Sequence, residues 1–466
     1  MKNKPVKIVA TLGPSSSSKE QIRALAEAGV DIFRINLSHA LPADVEILCK
    51  RIREAEQQVH KPLTIMGDLP GPKIRIGSMQ PNTILEKGKL FRIAKHMAEG
   101  DSTGCSVSHP SILDILEKGA EVYLDDGTIK LVIERKVHEA VEARVVVGGL
   151  LQSNKGFSAE GITLSTTGVS EKDKAGIDLM VKYEADALAI SFVQTEKDII
   201  AVKDLLPPHA KLMTIAKIET AKGVENAESI LAVADGMMVA RGDLGLAVPI
   251  AQVPHIQKQL IDLCVRNEKP VITATQMLES MISKPMPTRA EVTDVANAIL
   301  DRTDAVMLSA ETATGKFPIE TVETMSKIIA EAVKHIPVYE YKEENTIPNA
   351  ISDSVGKIAN QVGAKLIIAY TQSGITARRI ARHRNAQVVI AVSPDPSIIR
   401  KLNFVWGVHP HLIEKTSHFE GMLKQAENLA KKNDILPLQK DEIYVIAAGM
   451  PFGRSGTTNM VLVETV

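Results

Sequence analysis

A short apolar segment followed by a helix-length amphipathic segment recurs eight times along this chain. Parallel strands need a crossover connection between them, and a helix usually provides it. Eight strand–helix units in alternation therefore predict a closed (β/α)8 TIM barrel. The predicted strands are residues 6–13, 31–38, 63–69, 187–193, 212–219, 236–243, 271–277 and 305–311.

The alternation is interrupted once and resumes after the barrel. From Gly71 to Gly161 short alternating segments with turn signals such as DDG replace the helical pattern, which predicts an inserted small β-barrel cap domain. After Ile347 strands and helices alternate again, as is typical of a three-layer α/β domain with a mostly parallel sheet. The predicted domains are the barrel (1–70 and 162–345), the cap (71–161) and the C-terminal α/β domain (346–466).

Charge and composition exclude several classes of partner. The 55 basic and 56 acidic residues leave a net charge of −1, and aromatic residues are only 3% of the chain, so neither a basic field nor stacking platforms indicate nucleic acid. The longest apolar runs fall short of the ~18 residues of a membrane span. Three scattered cysteines fit a reducing compartment. We therefore expect a cytoplasmic protein without nucleic-acid or membrane partners.

Polar side chains end almost every predicted barrel strand. Active sites of such barrels lie at the carboxyl ends of the strands. An ion pair at the rim would account for Lys217 and Glu219 alone, but not for polar endings on strand after strand. The residues are Arg34, Asn36, Ser38, His39, Asp68, Lys73, Arg75, Lys217, Glu219, Arg241, Asp243, Thr275, Gln276, Ser309 and Glu311.

The types of these residues indicate phosphoryl transfer. Glu219 and Asp243 are hard oxygen ligands suited to Mg²⁺ or Mn²⁺. Arg34 and Lys217 are cations that can hold a phosphoryl group, and Gly242 lets backbone N–H groups approach a carboxylate. No Walker-type GxxxxGK[ST] motif is present, which excludes a P-loop enzyme.

A set of motifs in fixed order resembles the pyruvate kinase family over nearly the whole chain. The motifs are RINLSH, GPKIR, LDDG, SFV, IAKIE, ARGDLG, TATQMLESM, PTRAEVTDVANA and DAVMLSAETATGKFP. The resemblance implies transfer of the phosphoryl group of phosphoenolpyruvate to ADP, which gives pyruvate and ATP in the last step of glycolysis. It also implies a homotetramer.

The resemblance assigns roles to the barrel residues. Lys217 and Arg34 would hold the transferring phosphoryl group, with Arg75 as a further catalytic cation. Glu219 and Asp243 would bind the divalent metal. Substrate binding would also use Gly242, Asp243, Thr275 and Ser309. Thr275 or a water network near Ser309 and Glu311 would protonate the enolate, and both alternatives stay open.

The cap and the C-terminal domain receive binding roles from the same resemblance. The expected nucleotide-binding residues are Asn36, His39, Arg75, Asp126 and Lys155. Asp126 lies in a DDG sequence that is also a good hairpin turn. A sugar-phosphate or nucleotide effector is expected at Thr371, Ser373, Gly374, Thr376, Arg454 and Ser455, although Ser and Thr at a helix start are also ordinary caps.

One departure from the family pattern concerns potassium. Members that require K⁺ usually read DTKGPEIR where this chain reads DLPGPKIR. Asn36, Ser38, Asp68 and the carbonyl of Leu69 match the potassium ligands, but Lys73 replaces a glutamate. A lysine there supplies its own cation, so we expect that K⁺ is not required.

Two other functions remain open at this stage. One is a catalytically silent sensor that binds a phosphorylated metabolite in the C-terminal domain. The other is a metal-dependent pyruvate aldolase, which would leave the cap and the C-terminal domain unexplained. The presence of Lys217, Glu219 and Asp243 favours an active phosphotransferase.

Overall fold

The computed structural model of the chain describes residues 4–38, 40–159, 161, 169–336, 346–416, 418–451 and 457–466. The barrel begins with three strands and two helices. They are β1 (Lys7–Thr11), α1 (Lys19–Ala28), β2 (Ile32–Asn36), α2 (Pro42–Val59) and β3 (Thr64–Asp68). The Ser18 hydroxyl accepts from the backbone N–H of Gln21 and starts α1, and Pro42 occupies the first turn of α2, where no N–H partner is needed.

The cap follows β3 and has a core of its own. Its elements are β4 (Ile84–Leu85), β5 (Leu90–Ala94), β6 (Gly104–Ser106), α3 (Ile112–Ile115), β7 (Glu121–Leu124), β8 (Ile129–Val137), β9 (Ala140–Val147), β10 (Gly149–Leu150) and β11 (Phe157–Ala159). Six strands pair in the order β11-β7-β8-β9-β5-β6, and β10 pairs with β4. Arg75 pairs with Gly156 beside β11, and Ile76 pairs with Val107 beside β6, so this segment links the two edges of the sheet.

The chain then returns to the barrel, where the described residues form five strands and nine α-helices. The strands are β12 (Ala187–Ile190), β13 (Met213–Ile218), β14 (Gly236–Ala240), β15 (Val271–Ala274) and β16 (Ala305–Leu308). The helices are α4 (Glu171–Lys182), α5 (Glu196–Lys203), α6 (Ala221–Glu225), α7 (Ala227–Val233), α8 (Arg241–Ala247), α9 (Val253–Arg266), α10 (Arg289–Leu300), α11 (Ala310–Ala313) and α12 (Pro318–Ala332). Among the described residues no helix combines the length and apolarity of a membrane span.

The eight predicted barrel strands are confirmed. They close in the order β1-β16-β15-β14-β13-β12-β3-β2, and every pair is parallel. Helices cover the outer face and side chains fill the interior, which explains why the strands read as nearly continuous apolar runs. Most strands end one to three residues before the predicted end. Gly242 and Asp243 therefore lie in the first turn of α8 and not on a strand.

The C-terminal residues form a five-stranded sheet between two layers of helices. The elements are α13 (Ile347–Gln361), β17 (Leu366–Tyr370), α14 (Ile375–Ala381), β18 (Val388–Ser393), α15 (Pro396–Lys401), β19 (Val408–Leu412), α16 (Phe419–Lys432), β20 (Ile443–Gly449) and β21 (Thr458–Thr465). The order is β19-β18-β17-β20-β21, and only β21 is antiparallel. Ile367 packs in one apolar cluster and Ile368 in another, because successive strand residues face opposite sides.

The amino ends of the barrel strands meet the C-terminal domain through buried lysines. The ammonium of Lys7, at the start of β1, donates to the carbonyl of Val408 at 2.5 Å. Nearby, Asp31 pairs with Lys4 at 2.5 Å and with Lys61 at 2.7 Å. Burial lowers the pKa of Lys7 to about 7, and the neighbouring cations Lys4 and Lys61 add to this effect while Asp31 opposes it.

We predict that Lys7 makes the stability of the protein depend on pH. Between a folded pKa of about 7 and the ordinary value of 10.5, the unfolded chain binds the proton and the folded chain does not. The free energy of unfolding should therefore rise with pH across this range. Lys7→Met should flatten that rise and should stabilise the protein most near pH 7, as measured by thermal unfolding midpoints at several pH values. The exposed Lys258→Met is the control, and an unchanged slope in Lys7→Met would contradict the buried-lysine assignment.

Candidate active site

Lys217 lies at the centre of the carboxyl face of the barrel. It is near the end of β13 and is only 9% exposed. Its ammonium donates to the hydroxyl of Ser191 at 2.7 Å and to Asp68 at 3.1 Å, and it lies 3.1 Å from the Glu219 carboxylate. Burial alone would lower the pKa of Lys217, but Asp68 and Glu219 outweigh burial and raise it. The lysine is therefore held charged in a fixed position.

The carboxylate of Asp68 joins this lysine to a second cation. Arg34 Nε donates to Asp68 Oδ2 at 2.6 Å, and its Nη1 donates to the hydroxyl of Thr11 at 3.0 Å. Burial opposes ionisation of Asp68, but Arg34 and Lys217 lower its pKa below the ordinary value. The Asp68 carboxylate, at the end of β3, thus contacts one cation from β2 and one from β13.

Two further carboxylates lie beside these cations. Glu219 accepts from the backbone N–H of Phe192 at 2.6 Å and is 2% exposed. Burial raises its pKa, Lys217 opposes this, and the nearby Asp243 adds to it by repulsion. Two carboxylates that repel each other near an open face suit a divalent cation, which would remove the repulsion.

The number of carboxylates also fits magnesium. Among the residues that the structure describes, no group of three or more His, Cys, Asp or Glu side chains could hold a metal. Magnesium is commonly held by one or two carboxylates, with waters and substrate oxygens as the remaining ligands. Glu219 and Asp243 supply that minimal set.

The turn after β15 has an unusual backbone held by Arg241. Thr275 is β-branched and has φ of +70°, a conformation that such residues rarely adopt. Arg241 donates to the Thr275 carbonyl at 2.6 Å and pairs with Asp294 at 2.7 Å. The Gly242 N–H donates to the Thr275 hydroxyl at 2.8 Å. This network fixes the hydroxyl beside the first turn of α8.

The end of β16 supplies Ser309 and Glu311. Glu311 accepts from the backbone N–H of Ser309 at 2.7 Å and from that of Leu278 at 3.3 Å. Burial raises the pKa of Glu311, and these backbone hydrogen bonds oppose the rise. Glu311 therefore ties the loop after β16 to the turn after β15.

Lys73 connects the barrel with the cap. Its ammonium lies 3.0 Å from Asp243 and 3.2 Å from Asp126 in the cap turn. Burial would lower the pKa of Lys73, but Asp243 and Asp126 together raise it. The turn rests on α8, since a Cβ added to Gly127 would lie 2.9 Å from the Leu246 side chain.

Among the other predicted nucleotide residues, Lys155 and Arg75 make contacts within the cap. Lys155 pairs with Asp125 of the cap turn at 2.9 Å. The guanidinium of Arg75 donates to the carbonyl of Asn154 at 2.9 Å, within the cap. This hydrogen bond holds the Arg75 side chain against the cap and does not link it to Lys217 or Arg34. His39 lies outside the described residues.

The four predicted potassium ligands are neighbours, and several of their oxygens already accept hydrogen bonds. Asn36 and Asp68 are paired in the β2–β3 register. Asn36 Oδ1 accepts from the backbone N–H of Ser38 at 3.1 Å, and the Leu69 carbonyl accepts from Ser191 at 2.7 Å. The carbonyl of Ser38 accepts from Lys172 at 2.8 Å.

The predicted effector residues that the structure describes lie together at the end of β17. Thr371, Ser373 and Thr376 border a small cavity of about 40 Å³ that Lys415 also lines. The Thr371 hydroxyl accepts from the Gly374 N–H at 2.9 Å. Arg454 and Ser455 lie outside the described residues.

Sequence reasoning missed Thr11, Ser191 and Asp294 as partners of the site. Each is an ordinary polar residue whose role depends on a partner distant in sequence. Ser191 alone left a local signal, because it directly follows β12 at the carboxyl face. Arg241 was recognised as a strand-end residue, but its support of the Thr275 backbone could not be predicted.

Comparison with known proteins agrees with this geometry. The family model described as pyruvate kinase, barrel domain, matches residues 3–322, and the one described as pyruvate kinase, alpha/beta domain, matches residues 349–464. Pyruvate kinase 2 of Synechocystis is 40% identical over 99% of this chain and 79% of its own length. Pyruvate kinase of Methylorubrum extorquens is 38% identical over 100% of this chain and 98% of its own. Pyruvate kinase of Geobacillus stearothermophilus is 39% identical, with coverages of 100% and 81%. A buried cationic pair beside two carboxylates, in a chain matched by both domain models and by full-length relatives, identifies this protein as a member of the pyruvate kinase family.

Proposed function

We propose how individual residues of this chain carry out the family's reaction, the transfer of a phosphoryl group from phosphoenolpyruvate to ADP. The observation that carries the proposal is the Lys217 ammonium, which is buried and held by Ser191, Asp68 and Glu219. A fixed cation at developing negative charge stabilises a transition state without reorganisation. Lys217 thus binds the transferring phosphoryl group and the enolate oxygen.

Arg34 holds the phosphoryl group from the other side. Its Nε and Nη1 are used by Asp68 and Thr11, so its orientation is fixed before substrate arrives. Positioning of this kind removes the entropy cost of aligning the reacting groups. Asp68 is a positioning residue, because it acts through the two cations.

The substrate carboxylate is assigned to the first turn of α8 and to Thr275. The backbone N–H groups of Gly242 and Asp243 are near the start of that helix, and the Thr275 hydroxyl lies 2.8 Å from the Gly242 nitrogen. Thr275 is also the proposed proton donor to the enolate. Both oxygens of Glu311 already accept backbone hydrogen bonds, which supports a structural role for that residue.

Members of this family generally use Mg²⁺ and K⁺. Glu219 and Asp243 are the proposed ligands of Mg²⁺ or Mn²⁺. When bound, the metal neutralises charge on the substrate's phosphate and carboxylate. The nucleotide is assigned to the space under the cap, with Asn36, Arg75, Asp126 and Lys155 as proposed ligands, and His39 stays a ligand predicted from the sequence.

Lys73 replaces the need for potassium in this proposal. Its ammonium is already at the mouth of the site, 3.0 Å from Asp243. A cation fixed at this place supplies part of the charge that K⁺ would otherwise provide. This contact supports activity without a monovalent cation.

An effector with a phosphate group is proposed for the cavity lined by Thr371, Ser373, Thr376 and Lys415, with Gly374 in the same loop. The supporting observation is the set of hydroxyl groups beside Lys415, although Glu414 also lines the cavity. Arg454 and Ser455 complete the proposed site. A homotetramer in the cytoplasm is the proposed assembly, following the family resemblance.

We predict that Lys217→Met lowers kcat by about a hundredfold to a thousandfold, because one preorganised donor contributes about 3–4 kcal/mol in a closed site. Steady-state kinetics with phosphoenolpyruvate, ADP and Mg²⁺ measures the loss. The exposed Lys258→Met should keep normal turnover. Near-normal activity of folded Lys217→Met would contradict the proposal and would show that this lysine has only a structural role at the rim of the barrel.

We predict that the unmodified protein is active in buffer free of potassium and ammonium, with ionic strength held by a bulky organic cation. Lys73→Glu should become strongly dependent on K⁺, because it removes a cation and adds repulsion near a phosphorylated substrate. Lys73→Gln is the matched variant and should show an intermediate dependence. Strong stimulation of the unmodified protein by K⁺ would contradict the proposal.

We predict that Lys415→Glu abolishes activation by sugar or nucleotide monophosphates and leaves basal activity intact, because it places negative charge at the proposed anion site. Initial rates at low phosphoenolpyruvate, with and without ribose 5-phosphate or adenosine monophosphate, measure the effect. Lys424→Glu, on an exposed face of α16, is the control. Equal activation in both variants would count against an effector cavity here.

A further inference from the structure

A second cavity lies between the amino ends of the barrel strands and the C-terminal domain. Its volume is about 180 Å³. Met213, Asp235 and Pro270 line it from the barrel, and Gly374, Arg378 and Lys401 line it from the C-terminal domain. This cavity is separate from the effector cavity, although Ser373 borders both.

Arg378 enters this cavity without a carboxylate partner. Its Nε is buried and makes no hydrogen bond, and its guanidinium forms no ion pair within the described parts of the chain. Glu268, whose charge acts on Arg378, already forms ion pairs with Arg382 at 2.8 Å and with Arg379 at 3.3 Å. Burial lowers the pKa of Arg378, which Glu268 and Asp235 only partly offset.

Lys401 lies in the same wall and has no ion-pair partner among the described residues. The acids around it are engaged elsewhere. Asp395 pairs with Lys211 at 2.6 Å, and Asp235 accepts from the backbone N–H and the hydroxyl of Thr214 at 2.9 Å each. Burial lowers the pKa of Lys401 as well, against the opposing effect of these acids.

The cations just outside the cavity have carboxylate partners, unlike the two cations that line it. Lys211, Arg382 and Arg384 each have a carboxylate within 3.1 Å. Arg378 and Lys401 are the two that face the cavity, and the single acid in its wall, Asp235, leaves the lining with net positive charge. Partly buried cations that lack partners are costly unless an anion is supplied.

We propose that this cavity is a binding site for a compact phosphate-bearing anion. Water occupies about 30 Å³ per molecule in the liquid, so the volume suits a phosphate group with a short carbon skeleton. Arg378 provides a planar fork for phosphate oxygens, Lys401 provides a point charge, and the backbone at Gly374 allows close approach.

The barrel residues of this site precede the strands that carry the reaction. Met213 begins β13, which leads to Lys217 and Glu219. Asp235 precedes β14, which leads to α8, and Pro270 precedes β15, which leads to Thr275. A ligand in the cavity therefore contacts the amino ends of three strands whose carboxyl ends lead to residues of the candidate active site.

Titration calorimetry of the full chain with inorganic phosphate, at constant ionic strength in chloride, tests the proposal. Arg378→Gln and Lys401→Gln should each weaken one phosphate-binding event at least tenfold, because each removes a charge-assisted hydrogen-bond donor. Lys415→Gln, in the effector cavity, and Lys217→Met, at the barrel mouth, should leave that event unchanged. Arg378→Gln should also raise the thermal unfolding midpoint without phosphate, because it removes a buried donor that has no partner.

Three results would overturn the proposal. One is unchanged phosphate affinity in both Arg378→Gln and Lys401→Gln. Another is loss of the event in Lys415→Gln, which would assign the phosphate to the effector cavity. The third is loss only in Lys217→Met, which would assign it to the barrel mouth. If Arg378→Gln does not fold, Lys401→Gln decides the question by itself.

Discussion

The active site depends on one buried carboxylate, that of Asp68. It is 2% exposed and receives hydrogen bonds from Arg34 at 2.6 Å and from Lys217 at 3.1 Å. Each of these charges would be costly to bury by itself, and together they offset much of that cost. Removal of Asp68 would leave Arg34 without its carboxylate, and Lys217 would keep only Glu219 as an ion-pair partner among the described residues. The two cations of the candidate site therefore share one buried anion.

Closure of the barrel makes this network possible. Asp68 ends β3, Arg34 lies on β2 and Lys217 lies on β13, and in the closed sheet only β12 separates β13 from the pair β3 and β2. Their carboxyl ends face the same opening, so residues far apart in sequence meet there. The strands themselves are buried on both faces, and their rigidity fixes the polar ends. In the same way, the hydrogen bond from Arg241 to the Thr275 carbonyl fixes the backbone of the turn after β15.

Much of the fold was predictable from periodicity. Eight apolar strands alternating with amphipathic segments indicated the barrel, and loss of the helical pattern indicated the cap. The strands β19 and β21 were missed, since β19 includes His409, Pro410 and His411 and β21 is antiparallel and largely exposed. In the site, the charged residues could be predicted because they interrupt apolar runs. Their partners Thr11 and Asp294 could not, because hydrogen bonding across distant strands leaves no local pattern, whereas Ser191 could have been found from its place directly after β12.

The contact of Lys73 with both the cap and the barrel has a mechanical consequence. Its ammonium forms ion pairs with Asp126, on the cap turn, and with Asp243, on the barrel. With the turn against α8, the negative charge of Asp126 offsets part of the positive potential that Lys73 creates at Asp243. With the turn displaced, that offset would be lost, and Lys73 would oppose other cations at Asp243 more strongly. The position of the cap turn would therefore set the electrostatic potential at Asp243, and its displacement would change the affinity of that carboxylate for other cations.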